Sequence, residues 1–334
     1  MGSPEINVAY QLNVQELELL SRFQTRTALT IGTDKSSHVL QNVITKLACS
    51  VSNLNPYLAS RTNFDGPAFI LMYVVLTLTL MHDRYLSASP NTKQSTAEAF
   101  YWYKGTALFN SKLSKPIQPS DRDALWVTAV LLGTIAFACI EAKTPEEAWP
   151  LKPPSSLDLD WLRMSDGKKE VWKITNPLRA DSAFQQLAPK YQHDFLPTYS
   201  TAVELQTLPS ELIKLYGLDA TSTADNNPYY AAASILAPLM NIECNHSTIL
   251  KFLSFLTHVH PDYKRLLERK DPRALLLLAY WYAKVSQYQQ WWVRRRAVLE
   301  CQATCIYLER YHGHDTKIQN LLQFPRMMCG LVAC

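Results

Sequence analysis

Glycine is scarce in this chain. Nine glycines serve 334 residues, and the two closest are Gly313 and Gly330. That spacing excludes every motif built on clustered glycines: the G-x-G-x-x-G dinucleotide turn, the phosphate-binding P-loop and the G-x-S-x-G nucleophile elbow. It also argues against a hairpin-rich β protein, whose tight turns call for glycine. The zinc-protease signature H-E-x-x-H is missing as well. Neither sign of charge is in marked excess. The net charge of +4 is too weak to imply a nucleic-acid binder by itself. The opening "MGSPEINVAYQ" has no apolar signal core, and no repeat or low-complexity tract stands out.

Cysteine is odd in number, seven in all, at 49, 139, 244, 301, 305, 329 and 334. Most lie in apolar helical segments, which reads as reduced thiols in an intracellular protein. Cys301 and Cys305 share one helix face. Two ligands do not make a zinc site, so the expectation is no metal and no cofactor.

What is present is apolar and helical. Hydrophobic residues make up 47% and charged residues 19%, a globular profile with ample material for a core. "NVQELELLSRF" opens on a capping asparagine, Asn13, with Leu17, Leu20 and Phe23 at helical spacing. "SSHVLQNVITKLACS" is a second amphipathic segment, broken by "NPYLAS". "DGPAFILMYVVLTLTLM" places a proline at a first helical turn, and "STAEAFYWYKG" carries a glutamate three residues after Ser95, a capping-box pattern. "PSDRDALWVTAVLLGTIAFACIEA" has acidic residues in its first turn. Ala68–Met81 is too short to span a bilayer, and Ala124–Ile140 is borderline. A helix apolar on all sides also suits the centre of a soluble core, so no membrane span is expected.

From residue 143 to about 204 the texture changes, with prolines 145, 150, 153, 154, 177, 189 and 197. Trp149, Trp161 and Trp172 in this stretch call for burial, so it reads as an ordered but irregular excursion of short elements. Helical patterns resume at 205. From Arg273 to His312 there is neither proline nor glycine, and one stripe runs through Leu277, Trp281, Val285, Tyr288, Trp292, Leu299 and Ile306. The fold class is all-α: one large helical domain over 1–334, with a core at 13–142 and 205–334 and the proline-rich insertion at 143–204.

"QYQQWWVRRRAVLECQA" sets two tryptophans against three arginines. On a helix Arg294, Arg295 and Arg296 point about 100° apart and form no single basic patch. The expectation is a buried Trp292 and an Arg296 paired with Glu300 at i, i+4, rather than a nucleic-acid surface. "HVHP" at 258–261 and "HGHD" at 312–315 offer only two histidines each. Asp158 and Asp160 fall on different helix faces and suit capping before "WLRM" better than acid–base work.

Taken together, "LELLSRFQTRTALTI", "NPYL…FILMYVVLTLTLMHDRYL", "LDWLRMSDGKKEVWKI" and "ALLLLAYWYAKV…WWVRRRAVLECQATCIYLERY" resemble the C-terminal regulatory region of fungal zinc-cluster (Zn2Cys6) transcription factors. The closest type is the sterol uptake control group. The resemblance covers nearly the whole chain, and its last block is the most specific. It implies an all-helical ligand-sensing and dimerisation region with an apolar pocket for a sterol or another hydrophobic, terpenoid-like molecule. It also implies a homodimer in the nucleus and cytoplasm. The family's DNA-binding zinc cluster, C-x2-C-x6-C, has no counterpart among these cysteines, so no direct nucleic-acid contact is expected. Tyr280, Trp281, Trp292, Phe255, Met240 and Met327 are the candidate ligand-binding residues. The alternative is a stand-alone cyclase- or isomerase-type enzyme on the same scaffold. Its candidate acids and bases are His258, His260, Asp160, Glu300, Tyr280 and Tyr282.

Overall fold

The computed structural model describes residues 12–50, 66–87, 93–189, 191 and 205–331. Every regular element among them is helical, and the fold class is all-α. The "NPYLAS" break lies outside the described residues. Close contacts divide the chain into two compact units, one of residues 1–135 and 168–188, the other of 136–167 and 189–334.

The first unit holds α1 (Val14–Arg22), α2 (Asp34–Cys49), α3 (Pro67–Leu86), α4 (Thr96–Leu113) and most of α5 (Arg122–Ala138). Asn13 caps α1 as its sequence indicates: its side chain accepts from the Glu16 N–H at 3.0 Å, and Glu16 accepts in return from Asn13 N–H at 3.1 Å. The buried face of α1 differs from the expected one. Leu17 is 51% exposed, while Glu16 turns inward to accept the Tyr101 hydroxyl at 3.0 Å. A capping carboxylate with a phenol partner is satisfied inside, and Leu19, Leu20 and Phe23 supply the apolar contacts. Ser95 caps α4 by accepting the Glu98 N–H, but Glu98 pairs with Arg84 at 2.8 Å. Pro67 stands in the first turn of α3, where its missing N–H costs nothing. At twenty residues α3 is long and apolar enough to cross a membrane by length and composition. Two-thirds of its apolar window is buried, as in the central helix of a packed core.

The second unit is built on α11 (Pro272–Val285) and α12 (Trp291–His312). Around them stand α7 (Ser210–Tyr216), α8 (Tyr230–Met240), α9 (Ile249–His258), α10 (Pro261–Glu268), α13 (Thr316–Leu321) and α14 (Gln323–Met328). Every residue of α11 from Ala274 to Val285 is buried, so this helix is enclosed on all sides. Asp271 caps it by accepting the Ala274 N–H at 2.9 Å, and the Tyr229 hydroxyl donates to the same carboxylate oxygen at 3.0 Å.

Two expectations about continuity are corrected. The stripe from Leu277 to Ile306 does not ride one helix, because the chain leaves α11 after Val285 and re-enters helix at Trp291. Ser286 turns its hydroxyl back to Ala283 O at 2.8 Å, a local bond that competes with helix propagation. Nor is 143–204 irregular throughout, since α6 (Asp160–Thr175) runs for sixteen residues within it. Asp158 does not cap α6. It accepts the Ser155 N–H at 2.9 Å and pairs with Lys152 at 2.8 Å, closing the turn before the helix.

Candidate functional site

The second unit encloses an aromatic cluster next to a buried ionic one. Trp281, on the fully enclosed α11, donates its indole N–H to Phe252 O at 2.9 Å. Its ring lies parallel to Phe255, with centroids 5.4 Å apart, and to Trp161 at 6.4 Å; Phe137 meets it edge-on at 6.2 Å. Offset-parallel and edge contacts of this kind add to the stabilisation from burial alone.

Arg296 lies one ring further along. It is buried on α12, with its guanidinium over Phe137 at 5.6 Å and over Trp161 at 5.4 Å. Its Nε donates to Phe137 O at 2.8 Å, and its Nη2 donates to Cys139 O at 2.6 Å and Ala136 O at 3.3 Å. These carbonyls belong to the last turn of α5 and the residue after it, where a helix leaves acceptors unpaired and carries partial negative charge. Nη1 donates to Glu300, and the Tyr282 hydroxyl donates to the other carboxylate oxygen of the same residue. The expected Arg296–Glu300 pair is therefore present, inside the protein rather than at its edge. Burial is the largest influence on both acids. It raises the Glu300 carboxyl and pushes the Tyr282 phenol well above its ordinary range, while Arg296 pulls each of them down. Both carboxylate oxygens are occupied, so the group acts as a cross-link between α11, α12 and the end of α5.

Trp291 and Trp292 are 7% and 4% exposed, so they form no stacking platform for bases. Arg294 and Arg295 are exposed, and Arg295 donates to Ala142 O at 2.9 Å.

Of the candidate ligand-binding residues, Trp281 and Phe255 come together. Tyr280 faces away from them, with its hydroxyl on Leu321 O at 2.9 Å and its ring 5.1 Å from Phe324. Trp292 packs edge-on against Tyr288 at 6.2 Å. Met240 is half-buried, its carbonyl accepting from the Lys284 ammonium at 3.1 Å, and Met327 is 63% exposed. Of the candidate acids and bases, Glu300 and Tyr282 touch. His258 sets Nδ1 3.0 Å from Ser254 O, His260 accepts the Asp262 N–H at 3.3 Å, and Asp160 pairs with Arg163 at 2.9 Å in solvent.

Sequence spacing missed Phe137, Trp161 and the α5 carbonyls around Arg296, because those partners lie 135 to 160 residues away along the chain. It also missed Cys329, whose thiol lies with those of Cys301 and Cys305, all three sulfurs within 4.8 Å of one another.

No family model matches the chain. Over 299 residues, 85% of its length, it is 25% identical to a Zn(2)-C6 fungal-type transcription factor of Gibberella zeae. The chain spans 57% of the length of that relative. A likeness of this extent supports the general family of fungal Zn(2)-C6 transcription factors.

Proposed function

We propose that this chain is a regulatory domain of a fungal transcription regulator, and that it responds to a sterol or another hydrophobic, terpenoid-like molecule. The observation that carries the reading is the 299-residue likeness to a fungal transcription factor. The aromatic cluster of Trp281, Phe255, Trp161 and Phe137 supports the ligand part, since rigid apolar rings are the usual walls of such sites. Those rings pack on one another in this structure, so ligand binding proceeds by repacking around Trp281 and its affinity is reduced by that cost. In this reading the domain forms a homodimer, works in the nucleus and cytoplasm, and leaves DNA contact to residues other than the buried Trp291–Trp292 pair.

Fusing the chain to an unrelated DNA-binding domain tests the regulatory part. The fusion is expected to change transcription of a reporter, with a further change when ergosterol or a fungal terpenoid is supplied. A folded fusion that leaves the reporter silent removes the regulatory reading. With the purified chain, a bound sterol raises the melting temperature through linkage and alters tryptophan fluorescence. No shift across a panel of sterols and terpenoids removes the ligand.

A further inference from the structure

Cys301 and Cys305 are one turn apart on α12 and fully buried. Cys329, just past the end of α14, completes a group whose three sulfurs lie within 4.8 Å of one another. Three elements wall the group. Sγ of Cys301 approaches Ala279 O of α11 at 3.5 Å and Pro325 O of α14 at 3.8 Å, and Sγ of Cys329 approaches Arg326 O at 3.6 Å. The position of Cys329 is fixed from α12 itself: the Gln302 side-chain amide donates to Cys329 O at 2.7 Å. None of the three is in a disulfide.

We propose that Cys301, Cys305 and Cys329 form a three-sulfur site for a soft monovalent metal ion, Cu(I). The choice of ion follows from the donors. Thiolates select soft ions, and the group contains sulfur only, with no histidine or carboxylate among the clustered ligands. A closed zinc site takes four protein ligands, and an open one takes three with a water. Three buried thiols with no fourth cysteine, histidine or carboxylate beside them among the described residues suit a three-coordinate ion instead. Two thioethers adjoin the site in sequence: Met327 is 63% exposed and Met328 is half-buried. On binding, each thiol that ligates releases its proton to solvent, and no electron changes hands. The bound ion joins α12 to the C-terminal segment and so holds α14 against α11. This inference does not depend on the regulatory reading.

The test is an anaerobic titration of the full reduced chain with Cu(I), against a chromophoric Cu(I) chelator, followed by X-ray absorption at the copper edge. The expected result is one Cu(I) per chain in an all-sulfur, three-coordinate environment, with removal of the last residues past Cys329 leaving binding intact. Cys301→Ser, Cys305→Ser and Cys329→Ser should each abolish that endpoint, and Cys244→Ser should leave it unchanged. Cys329→Ser is the most informative variant because its site lies after the last helix; far-ultraviolet circular dichroism confirms that it folds. Any of three outcomes overturns the site: no competition with the chelator, binding that survives folded Cys329→Ser, or stoichiometric Zn(II) uptake that Cu(I) does not displace.

Discussion

Glu300 takes the Tyr282 phenol on one carboxylate oxygen and the Arg296 guanidinium on the other. All three groups are buried. The same guanidinium reaches past the carboxylate to three main-chain oxygens at the end of α5. Its charge is thereby met from two directions, and its faces by Phe137 and Trp161.

Removing Arg296 should be costly out of proportion to one ion pair. Arg296→Ala strands a buried carboxylate and uncaps α5, and the expected loss is about 3–5 kcal/mol, read by urea or thermal unfolding. Arg296→Lys should recover little of it. An ammonium is a point charge and cannot serve carbonyls and carboxylate in the planar fork that the guanidinium uses. In a cycle with Glu300→Gln the two losses should not add, since each change destroys the same contact. Additive losses would dismiss the shared network.

The neighbouring arginine should behave in the opposite way. Arg294 is exposed and lies on another helix face. Arg294→Ala is expected to stay within about 0.5 kcal/mol of the parent. A loss comparable to that of Arg296→Ala would show that the arginine run acts as one unit.

His82 gives the first unit a pH dependence. It is buried, 3.0 Å from the Thr27 hydroxyl, and burial followed by the Arg26 charge lowers its pKa to about 4. A histidine depressed in the folded state favours folding while it is neutral. That stability is complete above its unfolded value near 6.5 and is lost as pH falls toward 4. The parent should weaken over this window by about 3 kcal/mol at most, and His82→Gln should flatten that part of the profile. Equal acid sensitivity in parent and variant would assign the effect to other groups.

Gly105 marks a close approach of α4 to α3. A methyl group there would stand 2.9 Å from Cγ2 of Val74, which is fully buried and stiff at χ1. Gly105→Ala gains helix propensity of about 1 kcal/mol, yet the overlap should outweigh it and leave the protein less stable by about 1 kcal/mol. Pairing it with Val74→Ala should relieve part of the loss. A stabilised Gly105→Ala would show that the two helices separate at little cost.

How much of this was legible in the sequence depended on range. Signals that act within one turn were readable: the Asn13 cap, Pro67 at the head of α3, and Arg296 four residues before Glu300. So was the burial of Trp292, because a periodic stripe reports a packed face. The break between α11 and α12 was not legible, since neither proline nor glycine marks it and a serine hydroxyl ends the helix. The inward turn of Glu16 was hidden because its partner, Tyr101, lies 85 residues on. The aromatic frame of Arg296 and the third thiol beside Cys301 and Cys305 were beyond reach for the same reason. Spacing along the chain cannot state which distant helix end or C-terminal turn is packed alongside.

Arg296 grips peptide oxygens, and every residue type provides one. A change of side chain at Ala136 or Cys139 therefore leaves the acceptor of this grip in place. An alignment searched for covarying partners of this arginine would find Glu300 and the ring at Phe137, and would pass over two of its anchors.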